Sequence, residues 1–479
     1  MIAATMLDKR KFYIDGQWVD PLKPSDFNVI NPATEKPIAV ISMGTAADID
    51  RAVKAARAAF ATYSQTSVDE RRALLEKLLA IYQRRYEEVA HTMTLELGAP
   101  ITMSREQQAD VGVGHLRGFI DALKRLKTRE VLENGDVVRR EPVGVCGLIT
   151  PWNWPINQIV LKVIPALATG CTCVLKPSEF TPLNAMLYAE MIHEAGFPPG
   201  AFNLVNGTGV ECGAALSRHK DVDMMSFTGS TRAGIAVTRD AADTVKRVTL
   251  ELGGKSPNLV FADADLEERV TGSVREVFNN SGQSCDAPTR MLVERSAYDK
   301  VVEISKRAGE AAKVGDPETE GAHIGPLVSD IQFGRVQALI NAGIAEGARL
   351  LVGGAGKPPG FETGYYVKPT IFVDANNTMR IAREEVFGPV LTIIPFDTED
   401  EAVAIANDTN YGLAAYIQTG SPERAERVAG KLRAGMVHVN GAPHRYGSPF
   451  GGYKMSGNGR EGGIFGLEDF MEVKTFHTP

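Results

Sequence analysis

Cys285 lies in Val277-Phe-Asn-Asn-Ser-Gly-Gln-Ser-Cys-Asp-Ala-Pro-Thr-Arg290, with polar and small residues just before it in place of the apolar neighbours of a packed core thiol. A second polar island, Val248-Thr-Leu-Glu-Leu-Gly-Gly-Lys-Ser-Pro-Asn258, sets the carboxylate of Glu251 between apolar residues. A sulfur nucleophile together with a partly desolvated base is what acyl-transfer chemistry requires. A cysteine taken alone usually just packs, so the reading depends on what positions these groups.

The positioning elements follow from periodicity. Phe12-Tyr-Ile-Asp-Gly-Gln-Trp-Val19 reads as a hairpin around Asp15-Gly16, and Ala46–Tyr63 as a helix opened by a Thr45-x-x-Asp48 capping box. Residues 68–97 keep helical spacing throughout. From about residue 145, short β runs alternate with helical segments: 144–149, 172–176, 202–205, 224–228 and 258–261. A second series, about 255–440, contains runs at 291–294, 390–394 and 436–439. Such alternation predicts βαβ units and two doubly wound α/β domains, with a site in the cleft between them. Residues 133–138 and 468–476 are β-like outside both series, and are expected to pair with each other and against another subunit.

Three glycine-rich turns compete for a phosphate. Phe227-Thr-Gly-Ser-Thr-Arg-Ala-Gly234 follows a strand and enters a helix near Thr231, so Gly229, Ser230 and Gly234 form a candidate pyrophosphate turn. Asn206-Gly-Thr-Gly-Val-Glu-Cys-Gly213 has its third glycine one residue late for a dinucleotide fingerprint and reads as a turn packed near the cofactor. Gly253-Gly-Lys-Ser256 imitates a P-loop but has Thr249 where that loop needs glycine.

Composition restricts the function classes. The chain has 479 residues, 44% hydrophobic and 23% charged, with a net charge of −7, which argues against nucleic-acid or anionic-membrane partners. Its five cysteines, at 146, 171, 173, 212 and 285, form neither a disulfide framework nor a zinc pattern, so no metal is expected. The N-terminal sequence has no apolar targeting region, and the most apolar stretch, 156–168, is interrupted by Gln158, Lys162 and Pro165. A cytoplasmic protein without a membrane span is expected.

With these residues laid out, the chain resembles the aldehyde dehydrogenase superfamily over nearly its whole length. Pro151-Trp-Asn-Trp-Pro-Ile-Asn157 is similar to the segment bearing the oxyanion asparagine, and Lys176-Pro-Ser-Glu179 to the adenosine-ribose motif. Phe227-Thr-Gly-Ser230 matches the cofactor turn, Glu251-Leu-Gly-Gly-Lys255 the general-base signature and Gly282-Gln-Ser-Cys285 the nucleophile signature. Glu384-Glu-Val-Phe-Gly-Pro389 resembles the nicotinamide-ribose motif, and Pro449-Phe-Gly-Gly-Tyr-Lys-Met-Ser-Gly457 the loop beside the substrate funnel.

The resemblance implies a cofactor domain (1–122 and 143–252), a catalytic domain (253–455) and a β oligomerisation flap (123–142 and 456–479) in a homodimer or homotetramer. It implies Cys285 as nucleophile, Glu251 as general base and Asn153 as oxyanion donor. Cofactor contacts are expected from Ile149, Trp152, Lys176, Ser178, Glu179, Gly229, Ser230, Gly234, Glu385 and Phe387. Glu179 favours NAD while leaving NADP possible. The substrate pocket is expected from Trp154, Gln158, Leu161, Ser284, Asp286 and Phe450, beside a loop carrying His444, Arg445 and Tyr446. Its aromatic walls favour a medium-sized apolar or aromatic aldehyde, with an acid-bearing semialdehyde held by Arg445 as the alternative. Two rival classes stay open at this level: a cofactor-independent cysteine hydrolase served by a histidine, and a catalytically silent binding protein.

Overall fold

A computed structural model describes residues 6–477; residues 1–5, included in the N-terminal reading, and 478–479 lie outside the described part. The first sheet has eight strands, ordered Gly457–Asn458, Arg247–Glu251, Met224–Thr228, Val145–Ile149, Thr172–Lys176, Phe202–Leu204, Phe12–Ile14 and Gln17–Val19. The five strands from Arg247–Glu251 to Phe202–Leu204 run parallel. They are dominated by buried side chains, as a sheet covered on both faces requires. The chain leaves Val145–Ile149, builds two strands to one side, then crosses back to build Met224–Thr228 on the other. That reversal opens a crevice at the carboxyl ends of Val145–Ile149 and Met224–Thr228, where such sheets take ligands.

The second sheet has seven strands, ordered Arg349–Val352, Thr370–Val373, Val390–Phe396, Arg290–Glu294, Pro257–Val260, Ala414–Gln418 and Met436–Val439. All pair in parallel except the edge strand Arg349–Val352. Two small sheets complete the fold. In one, Val137–Pro142 pairs antiparallel with both Arg129–Val131 and Met471–Phe476. Residues 133–135 turn between the first two strands, so the β-like reading of 133–138 holds only from Val137 onward. The other, Leu7–Lys9 with Lys36–Ser42 and Asp26–Asn31, had no counterpart in the sequence reading.

The helix Ala46–Tyr63 has the Thr45/Asp48 capping box. Residues 68–97 form two helices, Val68–Arg84 and Tyr86–Leu97, and not one. The break falls at Arg85, whose guanidinium is drawn to Glu88 and Glu190, and the last helix stops at Gly98 with φ 84°. The late-glycine turn becomes a single π-helical turn, Gly209–Gly213, capped by Thr208.

Candidate active site

Residues from the loops of both sheets line a cavity of about 700 Å³. The first sheet contributes Trp152, Asn153, Gly229, Ser230 and Gly253; Cys285, Glu385 and Phe387 come from the second half of the chain. On the first sheet, Ser230 caps the helix Thr231–Ala241, its hydroxyl accepting from Ala233 N, so free N–H groups of the helix start face the crevice. Gly234 lies in the first turn of that helix, where a Cβ would sit 2.7 Å from Leu252 Cδ2. Ile149 and Lys176 are register partners at the ends of adjacent strands, and Lys176 Nζ lies 3.4 Å from Glu179 Oε2. Ser178 is buried beside them. These last four residues flank the crevice without lining the cavity itself.

Glu385 closes the opposite wall, accepting from Gly254 N at 3.1 Å, and burial raises its carboxyl to about 7. Phe387, with φ 56°, packs edge-on against Trp152 at 5.3 Å between centroids.

Cys285 sits on an unusual piece of backbone. Asn280, Ser281 and Gly282 occupy the left-handed region consecutively, at φ 49°, 58° and 73°. Side chains hold them there. Asn280 Nδ2 donates to Asn153 O at 2.8 Å and to Gln283 O at 3.3 Å, while Gln283 Nε2 donates back to Asn280 O at 3.0 Å. Ser281 Oγ donates to Gly325 O, and Val328 N donates to Gln283 Oε1. Gln108 Nε2 reaches both Asn153 O (3.1 Å) and Asn280 Oδ1 (3.3 Å). Glycine is required at two contacts: a Cβ on Gly282 would overlap the Gly388 carbonyl, and one on Gly254 the Cys285 carbonyl.

The buried Asn153 amide donates to Gln283 O at 3.0 Å, so the candidate oxyanion donor is tied to the loop that carries Cys285. Trp154 Nε1 donates to Ser284 Oγ at 2.9 Å. The Cys285 thiol is held well above its ordinary range, first by burial and then by the carboxylates of Asp286, Glu385 and Glu251.

Glu251 ends its strand buried, with neither carboxyl oxygen hydrogen-bonded. It faces a second void of about 10 Å³, the size of one water, shared with Leu161, Arg460, Glu461 and Asp469. Glu251 Oε1 would lie 2.6 Å from a Cβ at Gly451. Burial and Glu461 hold its carboxyl in the protonated form far above the ordinary range, while Lys162 and Arg460 oppose them. Lys162 Nζ is fully buried and ion-paired to Glu461. Leu161 therefore lines the rear void beside Glu251 and not the large cavity. Gln158 is also buried on this helix, its carbonyl oxygen unpartnered. Phe450 packs with Cys285 against Leu413, Ala414, Tyr416 and Met436, and Asp286 adjoins the same cluster through Tyr416, whose hydroxyl donates to Asp286 O at 3.1 Å.

The sequence reading did not single out Gln108, Asn280, Gln283 or Glu461, and it noted Lys162 only as an interruption. Lys162 alone carried a signal, the solitary charge in the largely apolar helix Pro155–Thr169.

A crevice at the strand-order reversal and a loop-borne cysteine facing it agree with what the Aldehyde dehydrogenase family profile finds, matching residues 18–476. The chain belongs to the aldehyde dehydrogenase family. A 3-succinoylsemialdehyde-pyridine dehydrogenase from a Pseudomonas species is 53% identical over 98% of both chains. An aldehyde dehydrogenase structure from Bartonella henselae superposes with a TM-score of 0.97 at 52% identity, covering 98% of this chain and 99% of that one. Aldehyde dehydrogenase C from Pseudomonas syringae, a mutant complexed with NAD+ and octanal, gives 0.96 at 51% identity, covering 98% and 96%. Among the described residues of this family member, no cluster of His, Cys, Asp and Glu suits a metal ion, and no helix is long and apolar enough to cross a membrane.

Proposed function

We propose that this chain oxidises an aldehyde to the carboxylic acid with NAD, through a thioester on Cys285. The observation that carries the reading is the bonded unit of Asn153 and the left-handed loop before Cys285, set at the edge of a cavity large enough for a dinucleotide end and a substrate. The Cys285 sulfur, once deprotonated, attacks the aldehyde carbon, and the carbonyl oxygen takes the negative charge. The Asn153 amide and the Cys285 N–H stabilise that oxyanion. NAD, when bound, supplies the hydride acceptor that turns the tetrahedral adduct into a thioester. Glu251 first gives up the proton that its dry site holds, turns as the carboxylate from the Glu461 side towards Cys285 and takes a proton from water; the hydroxide adds to the thioester carbon, the thiolate leaves and the carboxylic acid is released. Lys162 and Glu461 behind Glu251 provide the polar route by which that proton departs.

The residues fit NAD: helix N–H groups behind Ser230 for the pyrophosphate, Glu179 for the adenosine ribose and Glu385 with Phe387 for the nicotinamide end. The Glu179 carboxylate opposes a 2′-phosphate, so NAD is preferred to NADP. The two large sheets support the division into a cofactor domain (1–122 and 143–252) and a catalytic domain (253–455), although Gly457–Asn458 joins the cofactor sheet. The small sheet of 129–142 and 471–476, with Val131, Val473 and Phe476 exposed, is the flap through which a homodimer or homotetramer assembles. Five free thiols among the described residues accord with a cytoplasmic setting.

For the substrate we favour a medium-sized apolar or aromatic aldehyde. Trp154 and Phe450 supply aromatic surface near Cys285, and the similar proteins named above include one complexed with octanal and one named for a pyridine-bearing semialdehyde. Arg445, the candidate anchor for an acid, is exposed and makes no ion pair among the described residues, so the acid-bearing alternative ranks second. Mixing the protein and its Cys285→Ala variant with NAD and benzaldehyde tests the reading. NADH should appear only with the wild type, while the variant still binds NAD; comparable turnover by both overturns it.

A further inference from the structure

Beside the nucleophile, on the Phe450 side, lies a set of polar groups that the proposed reaction does not use. Asp286 follows Cys285 in the chain, and its carboxylate forms no ion pair or side-chain hydrogen bond among the described residues. Tyr416 bonds the Asp286 carbonyl, and its ring stacks on His438 with centroids 4.8 Å apart and planes at 15°. His438 Nδ1 lies 2.9 Å from Ala442 O. A carbonyl only accepts, so Nδ1 carries the hydrogen, and Nε2, buried and unpartnered, is an acceptor whenever the ring is uncharged. His444 stands edge-on to Phe450 at 5.7 Å, its Nε2 likewise buried and unpartnered. Burial raises the Asp286 carboxyl from its ordinary range while His438, its own backbone N–H and His444 oppose that shift, burial holds His444 towards its neutral form, and Asp286 in turn raises Glu276. No arginine or lysine acts on Asp286.

We propose that Asp286, with His438 and His444 around it, forms an acceptor-rich specificity pocket that selects aldehydes bearing a hydrogen-bond donor, a hydroxyl or N–H, at their distal end and rejects those ending in a carboxylate. The inference rests on the aldehyde-oxidation reading and deepens it. The His438 and His444 Nε2 atoms are buried without partners, which is costly, and a donor on the substrate offsets that cost beside the half-buried Asp286 carboxylate. A substrate carboxylate brings a like charge to Asp286, on which no lysine or arginine acts to compensate. Specificity then comes as much from repulsion as from the bond gained.

The test uses three aldehydes of one shape: 3-hydroxybenzaldehyde, benzaldehyde and 3-carboxybenzaldehyde, each with NAD. Wild-type kcat/KM should fall in that order, with about ten- to hundredfold between the hydroxy and unsubstituted compounds, the range of one hydrogen bond to a charged group, and the gain should lie mainly in KM. In Asp286→Leu the hydroxy-to-unsubstituted ratio should collapse towards one; in Asp286→Asn the carboxy compound should gain relative to benzaldehyde. The wild-type order decides even if neither variant folds: a carboxy compound as good as benzaldehyde overturns the proposal, as does a ratio unchanged in a folded variant. Absence of NADH from all three aldehydes would instead sink the oxidation reading on which the proposal stands.

Discussion

Replacing Asn280 probes the strained loop directly. Its side chain is buried, donates to the carbonyls of Asn153 and Gln283, and belongs to a residue held at φ 49°. Asn280→Ala removes both donated bonds, about 0.5–1.5 kcal/mol each. It also leaves alanine in the left-handed region, at about 1–2 kcal/mol. The sum is a loss of about 2–5 kcal/mol, concentrated where Cys285 and Asn153 are aligned. Asn280→Gly loses the same bonds but not the backbone term, and gives back about 0.4–1 kcal/mol through a freer unfolded chain. Glycine should therefore be at least as stable as alanine here, the reverse of its rank in an ordinary segment. Urea midpoints followed by tryptophan fluorescence, with kcat on benzaldehyde alongside, measure both effects. The midpoint is the safer readout, since a chain with two large sheets need not unfold in one step. Both variants should lose at least about tenfold in kcat through misplacement of the nucleophile. An alanine variant matching wild type in midpoint and kcat, or a glycine variant clearly less stable than alanine, would refute the strain argument.

Glu251→Gln should slow steady-state turnover by about 10²-fold or more, the typical contribution of a general base, while a single burst of NADH survives in rapid mixing; undiminished turnover would assign the water to another group. Lys162→Met removes a cation that favours the Glu251 carboxylate, so the acid limb of the kcat profile should move to higher pH, because the base form then appears only at higher pH; a limb that stays or moves down contradicts the assignment. Glu179→Ala should raise NADP use relative to NAD, read as the ratio of kcat/KM for the two cofactors; an unchanged ratio would place cofactor discrimination elsewhere.

What the sequence made legible was what is local. The strand–helix alternation, the Thr45 box and the polar islands around Cys285 and Glu251 are all short-range patterns, and each appears in the fold at or near its expected place. What stayed hidden is built from distant parts. Gln108 meets Asn153 and Asn280 only after a π-helical segment, Ser104–Ala109, turns it inward. Lys162 and Glu461 come from opposite halves of the chain, and no periodicity links them. Leu161 illustrates the same limit: its place on the helix Pro155–Thr169 was readable, but the void it faces lies between the strands bearing Ser226 and Glu251 and residues after 457. Left-handed backbone at Asn280 and Ser281 had no glycine to announce it.

The sheet that carries Glu251 ends, at its edge, on Gly457–Asn458, and the wall behind Glu251 is made of Arg460, Glu461 and Asp469. During synthesis these residues leave the ribosome well after the strand Arg247–Glu251, whose edge stays open while some 200 further residues are translated. The Glu251 carboxyl acquires its dry surroundings, and with them its raised proton affinity, only once residues 457–470 have docked on that edge. A chain cut short before Gly457 thus carries the Cys285 thiol without the surroundings that raise the proton affinity of Glu251.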